Sequence, residues 1–377
     1  MERQVSSTFR SHGGMLGGLT LLATLGLGCS GGGGGTTPPD SVDVATLLNH
    51  YASAVVLATY NDLDTQAVAL SAAVDAFVAT PNTTTLAAAQ SAWVNTREPW
   101  EQSEGFLFGP VESAGLDPAL DSWPVNRTDL DTVLNGATAL TPATVGSFEN
   151  ELRGFHTIEY LLFDDGAGSR VAADIVTAYG TEVRRGQYLS AVTADLSTHA
   201  GQLADAWRAS GGNYVAEFNS AGTGSTIYVS QKGAMQEIVG GMAGIADEVA
   251  HSKIAKPFNQ HNGTLEESQF SDNSLEDFRD NLRSIQNGYL GSIDGSATAN
   301  GIASFVADAD PALDTEIRGQ LDASLDALDA IPAPFRTALD DPNAADEIQA
   351  AIDTIDGLFT LLDVDLNALV TATLFEH

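Results

Sequence analysis

The chain has 377 residues, of which 43% are hydrophobic and 18% are charged. This length allows one large or two medium domains, and this composition excludes a disordered or fibrous protein. Fifty acidic against sixteen basic residues leave a formal net charge of -34. So negative a chain repels phosphate backbones and attracts cations, which excludes nucleic acid as a partner. The charge is also typical of a protein adapted to a salty habitat, and both interpretations stay open.

The first residues predict an export signal. Arg3 and Arg10 precede an apolar stretch over 15–27 that is too short to span a bilayer as a helix. We therefore predict a signal peptide over 1–28. Its end resembles the bacterial lipoprotein signal, which implies that Cys29 is acylated and becomes the mature N-terminus. An ordinary leader with an incidental thiol is the alternative.

Cys29 is the single cysteine of the chain. It excludes an internal disulfide and any zinc or iron–sulfur site built from cysteines, and it leaves oxygen and nitrogen ligands as the possible metal donors. The glycines and prolines that follow it predict a flexible tether over 29–40.

From Val42 onward, apolar residues recur at spacings of three and four, which indicates helices. Strand signals are almost absent, and 225–229 is the best short candidate. Breakers near residue 210 divide the remaining chain. We predict an all-α fold of two four-helix-type bundles, 41–212 and 213–377, packed side by side with a cleft between them. The helical patterns after the first cover about 83–107, 144–163, 170–209, 226–250, 274–290, 311–329 and 344–373.

The strongest local signal is the segment 154–163, Gly-Phe-His-Thr-Ile-Glu-Tyr-Leu-Leu-Phe. Residues three apart lie on one face of a helix, so His156 and Glu159 can offer an imidazole nitrogen and a carboxylate to one metal ion. The alternative is a core histidine whose hydrogen bonds are satisfied by the neighbouring carboxylate.

A second acidic segment contains Glu98, Glu101 and Glu104 at the same spacing, close to Arg97 and Trp100. Carboxylates this close together in apolar surroundings are costly unless a cation compensates them. The segment therefore predicts a bound cation, and the alternative is a solvated acidic face with a local salt bridge.

Four separated blocks of the chain resemble the imelysin family, a family of exported, often lipid-anchored bacterial proteins linked to iron uptake. The blocks are 97–110, 121–124 (Asp-Ser-Trp-Pro), 154–162 with the Gly-x-His-x-x-Glu motif, and 267–291. The resemblance implies two four-helix bundles with the His-x-x-Glu site in the cleft between them. It also implies that residues 271–279 line or brace this cleft from the second bundle.

The predicted metal ligands combine the residues that the resemblance names with the acidic cluster. They are His156, Glu159, Glu101, Glu98, Glu104 and Asp121. Asp121 enters only through the resemblance, as the acidic residue before the Trp-Pro block.

Two functions follow from this set. The first is a lipoprotein, in the outer membrane facing the periplasm or the cell surface, that binds iron, another divalent metal such as zinc, or a metal-bearing ligand such as haem. An iron-uptake transporter is then its expected partner, and the lipid anchor its only contact with the membrane. The second is a metallopeptidase, although the His-Glu-x-x-His pattern of many zinc peptidases is absent. Imidazole and carboxylate ligands suit iron, manganese and zinc alike.

Overall fold

Helices form all of the regular secondary structure in the part of the chain that the structure describes. The structure is a computed structural model that describes residues 42–374, and none of these residues lies in a strand. The predicted all-α class is therefore confirmed. Within this range, no helix has both the length and the apolar character that crossing a membrane requires. The predicted signal peptide, Cys29 and the tether lie outside the described residues.

The α-helices are numbered in chain order. They are α1 (Val44–His50), α2 (Leu57–Ala79), α3 (Thr83–Glu101), α4 (Pro110–Ser113), α5 (Asp117–Leu120), α6 (Arg127–Asn135), α7 (Pro142–Val145), α8 (Gly154–Phe163), α9 (Ala172–Thr181), α10 (Val183–Trp207), α11 (Val215–Asn219), α12 (Gln231–Asp247), α13 (Ala255–Gln260), α14 (Ser274–Leu290), α15 (Ile302–Ala309), α16 (Pro311–Ala330), α17 (Phe335–Ala338), α18 (Ala345–Thr360) and α19 (Asn367–Thr373). Short 3-10 helices cover Glu104–Phe106, Asn150–Leu152 and Gly263–Leu265, and π-helical stretches cover Tyr51–Val56, Glu248–Ile254 and Leu361–Leu366.

Local chemistry sets the helix ends that matter for the site. The side chain of Asn82 accepts hydrogen bonds from the backbone of Thr84 and Thr85 and caps α3 at its predicted start. The helix stops at Glu101, earlier than predicted, two residues after a proline that cannot donate a backbone hydrogen bond. Likewise, α8 begins only at Gly154, because α7, a turn and the 3-10 helix Asn150–Leu152 precede it in place of a continuous helix.

Two sets of four helices pack around the site. Helices α2, α3, α8 and α10 contact one another in a closed order, and so do α12, α14, α16 and α18. The two sets meet where α14 packs on α3 and α12 packs on the 3-10 helix Glu104–Phe106. The described residues form one compact unit. The division at residue 212 into two bundles stays a prediction.

Gly154 explains how α8 meets the segment that carries Asp121. Its φ of +77° favours glycine, and a Cβ there would lie 2.2 Å from the carbonyl oxygen of Leu120. Only a residue without a side chain allows so close an approach. The start of α8 is thereby held against the residue that precedes Asp121.

We expect Gly154→Ala to lower the free energy of unfolding by more than about 2 kcal/mol, because both the positive φ and the overlap with Leu120 oppose a Cβ. Chemical denaturation measures this change. The matched control is Gly180→Ala in α9, where a Cβ meets nothing within 4 Å and the substitution should stabilise the helix by about 0.5–1 kcal/mol. Equal unfolding midpoints for the two variants would contradict the assigned role of Gly154.

Candidate metal centre

A fully buried guanidinium holds four carboxylates together at the junction of the two helix sets. Arg97 is 0% exposed. Its Nη1 lies 2.6 Å from Asp121 Oδ1, its Nη2 lies 3.2 Å from Glu267 Oε1 and its Nε lies 3.5 Å from Asp277 Oδ1. Its Nη2 also forms an ion pair with Glu101, one helical turn away. Carboxylates from four segments of the chain therefore converge on one cation.

His156 faces two of these carboxylates with a nitrogen that makes no hydrogen bond. Its Nε2 lies 3.0 Å from Asp121 Oδ1 and 3.4 Å from Glu267 Oε1. Neither contact has the angles of a hydrogen bond, so this buried nitrogen is unsatisfied among the described residues. The side chains of His156, Asp121 and Glu267 are 1%, 5% and 13% exposed. The imidazole thus points into a closed acidic pocket.

The charges of this pocket shift the pKa values of its members in opposite directions. Burial alone would lower the pKa of His156, but Asp121, Glu159 and Glu267 outweigh it and hold that pKa well above its usual value. Burial would raise the pKa of Glu267, yet Lys253, His156 and Arg97 lower it to about 2. Without a metal, the imidazole therefore carries a proton that a metal ion must displace.

Glu159 orients His156 and fastens a distant loop. Its Oε2 lies 3.5 Å from Nδ1 of His156. Its Oε1 accepts hydrogen bonds from the backbone N–H of Phe270 at 2.9 Å and from the N–H and hydroxyl of Ser271 at 2.8 and 2.7 Å. A carboxylate on the nitrogen opposite to the ligating one is a common second partner of metal-bound histidines. Glu159 thus contacts Nδ1 of His156, the ring nitrogen opposite Nε2, and does not face the Nε2 side.

The same loop, between α13 and α14, delivers Glu267, and two arginines hold it from outside. Arg336 donates to the carbonyl of Gln269 at 2.6 Å and lies 2.9 Å from Glu266 Oε1. Arg170 also donates to the carbonyl of Gln269. Residues 271–279, which the resemblance assigned to the cleft, do contribute Ser271 and Asp277 to the site.

A second group of carboxylates adjoins the first. Glu101 and Glu104 face the ammonium of Lys253 at 3.3 and 2.8 Å, and Asn281 donates to them at 2.6 and 3.1 Å. Burial raises the pKa of Glu101 to about 8 although Arg97 and Lys253 oppose the shift. Negative charge in this pocket is therefore only partly compensated by its resident cations.

The donor atoms are close enough to share an ion. One ligand atom each from Asp121, His156 and Glu267 lie within 4.8 Å of one another, and the same holds for Glu101, Glu104 and Asp121. Metal–ligand distances of about 2.0–2.2 Å place ligand atoms about 3–4.4 Å apart, so little adjustment is needed. One imidazole and several carboxylates suit divalent iron, manganese or zinc. The residues present therefore fit a metal ion.

Most of the predicted ligands meet in this pocket, and one does not. His156, Glu159, Asp121, Glu101 and Glu104 belong to the connected cluster described above. Glu98 does not: it is exposed on α3 and its carboxylate contacts Gln102. Helical geometry explains this difference, because a residue next to buried Arg97 points about 100° away from it.

Sequence reasoning missed Glu267, Lys253 and Asn281 as members of the site. Glu267 is the first residue of the fourth block that resembles the family, and this position could have indicated that it belongs to the site. Lys253 is one of three lysines in a chain with fifty acidic residues, and it lies among apolar neighbours. Asn281 lies four residues after Asp277 on the face of α14 that packs against α3, which only the packing reveals.

Comparison with known proteins gives consistent matches. The sequence model of the imelysin family matches residues 56–362. Iron-regulated protein A of Synechococcus elongatus is 30% identical over 323 residues, which cover 84% of this chain and 85% of that protein.

Two solved structures resemble this one over most of their length. A putative iron-regulated protein A precursor from Parabacteroides distasonis aligns with a TM-score of 0.75 and 28% identity, covering 89% of this chain and 96% of that one. An imelysin-like protein from Psychrobacter arcticum aligns with a TM-score of 0.69 and 12% identity, covering 87% and 95%. The second likeness concerns the fold alone.

We expect Glu159→Ala to lower the free energy of unfolding by about 2–4 kcal/mol, because it leaves the donors of Phe270 and Ser271 without their acceptor. Glu159→Gln keeps an oxygen acceptor and should cost less than half as much. Urea denaturation of the metal-free protein gives both values. Glu98→Ala on the exposed side of α3 is the control and should change little, and an equal loss in all three variants would contradict this role of Glu159.

Proposed function

The chain belongs to the imelysin family, and we propose that it binds one divalent metal ion between His156, Asp121 and Glu267, with iron as the physiological metal. Its relatives named iron-regulated protein A give it an iron-related role. The observation that carries the proposal is the buried Nε2 of His156, which makes no hydrogen bond and faces two carboxylates. A metal ion that displaces the proton of this imidazole would bind to the lone pair of Nε2.

The charge balance of the pocket favours a bound cation. Six carboxylates line the pocket: five of them contact Arg97 or Lys253, the two cationic side chains that stay charged, and Glu159 contacts His156. The six are Glu101, Glu104, Asp121, Glu159, Glu267 and Asp277. When all six are ionised, the excess is four negative charges, and a divalent ion removes part of that repulsion. In the metal-free protein, burial raises the pKa of Glu101 although Arg97 and Lys253 oppose the shift, and this favours the protonated form of that carboxyl.

Enclosure of the ligands favours a bare ion over larger ligands. The three proposed donors are between 1% and 13% exposed, whereas a haem macrocycle or a peptide substrate needs an open surface beside the metal. Capture of an ion is therefore the function that these contacts support best, and we propose an iron-uptake transporter as the partner that receives it.

We expect His156→Ala and Asp121→Asn each to weaken Fe²⁺ binding more than about 100-fold, since loss even of an outer partner of a metal ligand costs 10–100-fold. Anaerobic equilibrium dialysis measures the affinity, with Mn²⁺, Zn²⁺ and haem titrated in parallel. The control is His251→Ala, an exposed histidine paired with Asp247, which should leave the affinity unchanged. Equal Fe²⁺ affinity in the wild type and His156→Ala would remove the basis of the proposal.

We also propose that the protein is exported and anchored to the outer membrane through acylated Cys29, on the sequence features of residues 1–40. When the full chain is expressed in a bacterium with an outer membrane, the wild type should partition into the detergent phase of a phase-separation extract. Cys29→Ser should move to the aqueous phase with its helical content unchanged. Partition of both proteins into the same phase would argue against the anchor.

A further inference from the structure

Lys253 places a buried ammonium inside the acidic pocket. Its Nζ lies 2.8 Å from Glu104 Oε2, 3.3 Å from Glu101 Oε2 and 3.7 Å from Glu267 Oε2. Its side chain is only 5% exposed. Burying an ammonium is costly unless it is paired, so the three carboxylates and the lysine form one electrostatic unit.

A local change of helix geometry accompanies this placement. Lys253 lies in the π-helical stretch Glu248–Ile254, where the backbone N–H of Ala255 bonds to the carbonyl of Ala250 five residues earlier. Such wide turns change which side chains face a given side of the helix and occur often at functional sites. Lys256, three residues later, is exposed and lies over the ring of Trp123.

The ammonium contacts two of the three carboxylates in the second donor group. Ligand atoms of Glu101, Glu104 and Asp121 lie within 4.8 Å of one another, and Lys253 contacts the first two. Asn281 supplies an independent sign of a cation-binding position. Its amide is fully buried and directed at Glu101 and Glu104, yet its Oδ1 has no hydrogen-bond partner among the described residues. The amide now presents its N–H group to these carboxylates, and a rotation of the amide would turn this oxygen toward the same position once the lysine is gone.

We propose that the ammonium of Lys253 occupies the position of a second divalent metal ion and thereby limits the centre to one. The first position, at His156, rests on the proposed function. The second position does not, because Lys253 already places a cation against Glu101 and Glu104. Substitution of Lys253 by a small neutral residue should therefore open a second metal site.

The experiment counts bound metal. Purified full-length protein is dialysed against excess Mn²⁺, and the metal is measured by mass spectrometry with inductively coupled plasma. Lys253→Ala should bind one equivalent more than the wild type. Lys253→Gln, which keeps more of the side-chain volume, should show the same gain and decides the question if Lys253→Ala does not fold. Helical content by circular dichroism is recorded for each protein.

Two control variants test whether the positive charge at Lys253 is responsible for the metal count. Lys253→Arg keeps a cation in the pocket and should bind as many equivalents as the wild type. Lys256→Ala removes the same charge from the protein surface and should also leave the count unchanged. A count in folded Lys253→Ala and Lys253→Gln that equals or falls below that of the wild type would overturn the proposal.

The result separates this proposal from the proposed function. If the wild type binds no metal, the His156 site fails, but a gain of one equivalent in Lys253→Ala still supports the role of Lys253. If the wild type binds one equivalent and both Lys253 variants bind one, the role of Lys253 fails and the His156 site stands. Combining His156→Ala with Lys253→Ala should lower the count of Lys253→Ala by one, since His156 belongs only to the first position and Asp121 is the one residue that the two donor groups share.

Discussion

The centre depends on one buried guanidinium. Arg97 ties together carboxylates from α3, from the segment after α5, from the loop before α14 and from α14 itself. Arginine suits this position because its planar group offers five donors and stays charged when buried. Its cation also lies over the ring of Phe155 at 5.1 Å, on the helix that carries His156. Without it, the acidic side chains of these segments would repel one another.

Burial and charge act against each other throughout this pocket, and the balance decides what it can bind. Desolvation raises the pKa of Glu101 and Glu104, whereas Arg97, His156 and Lys253 lower those of Asp121 and Glu267. The carboxylates nearest His156 are thus ionised at neutral pH, and those nearest Lys253 resist ionisation. In the proposed site, an incoming ion would therefore meet ionised Asp121 and Glu267 beside the imidazole and would displace a proton from that ring.

The sequence predicted the parts of this centre that lie close together along the chain. Helical spacing was enough to pair His156 with Glu159, because three-residue spacing has a fixed geometric meaning in a helix. It also grouped Glu101 with Glu104, but α3 ends at Glu101 and Glu104 lies in the next 3-10 helix, so the turn between them brings them together. The same spacing wrongly grouped exposed Glu98 with them, since charge and spacing alone do not tell which face is buried. Glu267 reaches His156 through a fold contact that spans more than a hundred residues, and no local pattern encodes such a distance. Lys253 could not be placed in the site from the sequence, because its position depends on both the fold and a π-helical stretch.

The three fixed residues of the Gly-x-His-x-x-Glu motif have three different structural roles. Gly154 lets the start of α8 touch the backbone of Leu120, which brings Asp121 to within 3.0 Å of Nε2. His156 supplies the lone pair of that nitrogen to the pocket. Glu159 faces the other ring nitrogen and, through Phe270 and Ser271, fastens the loop that carries Glu267. In the proposed site, each residue thus positions or supplies one part of the Asp121, His156 and Glu267 donor set, and the motif brings together side chains from three segments.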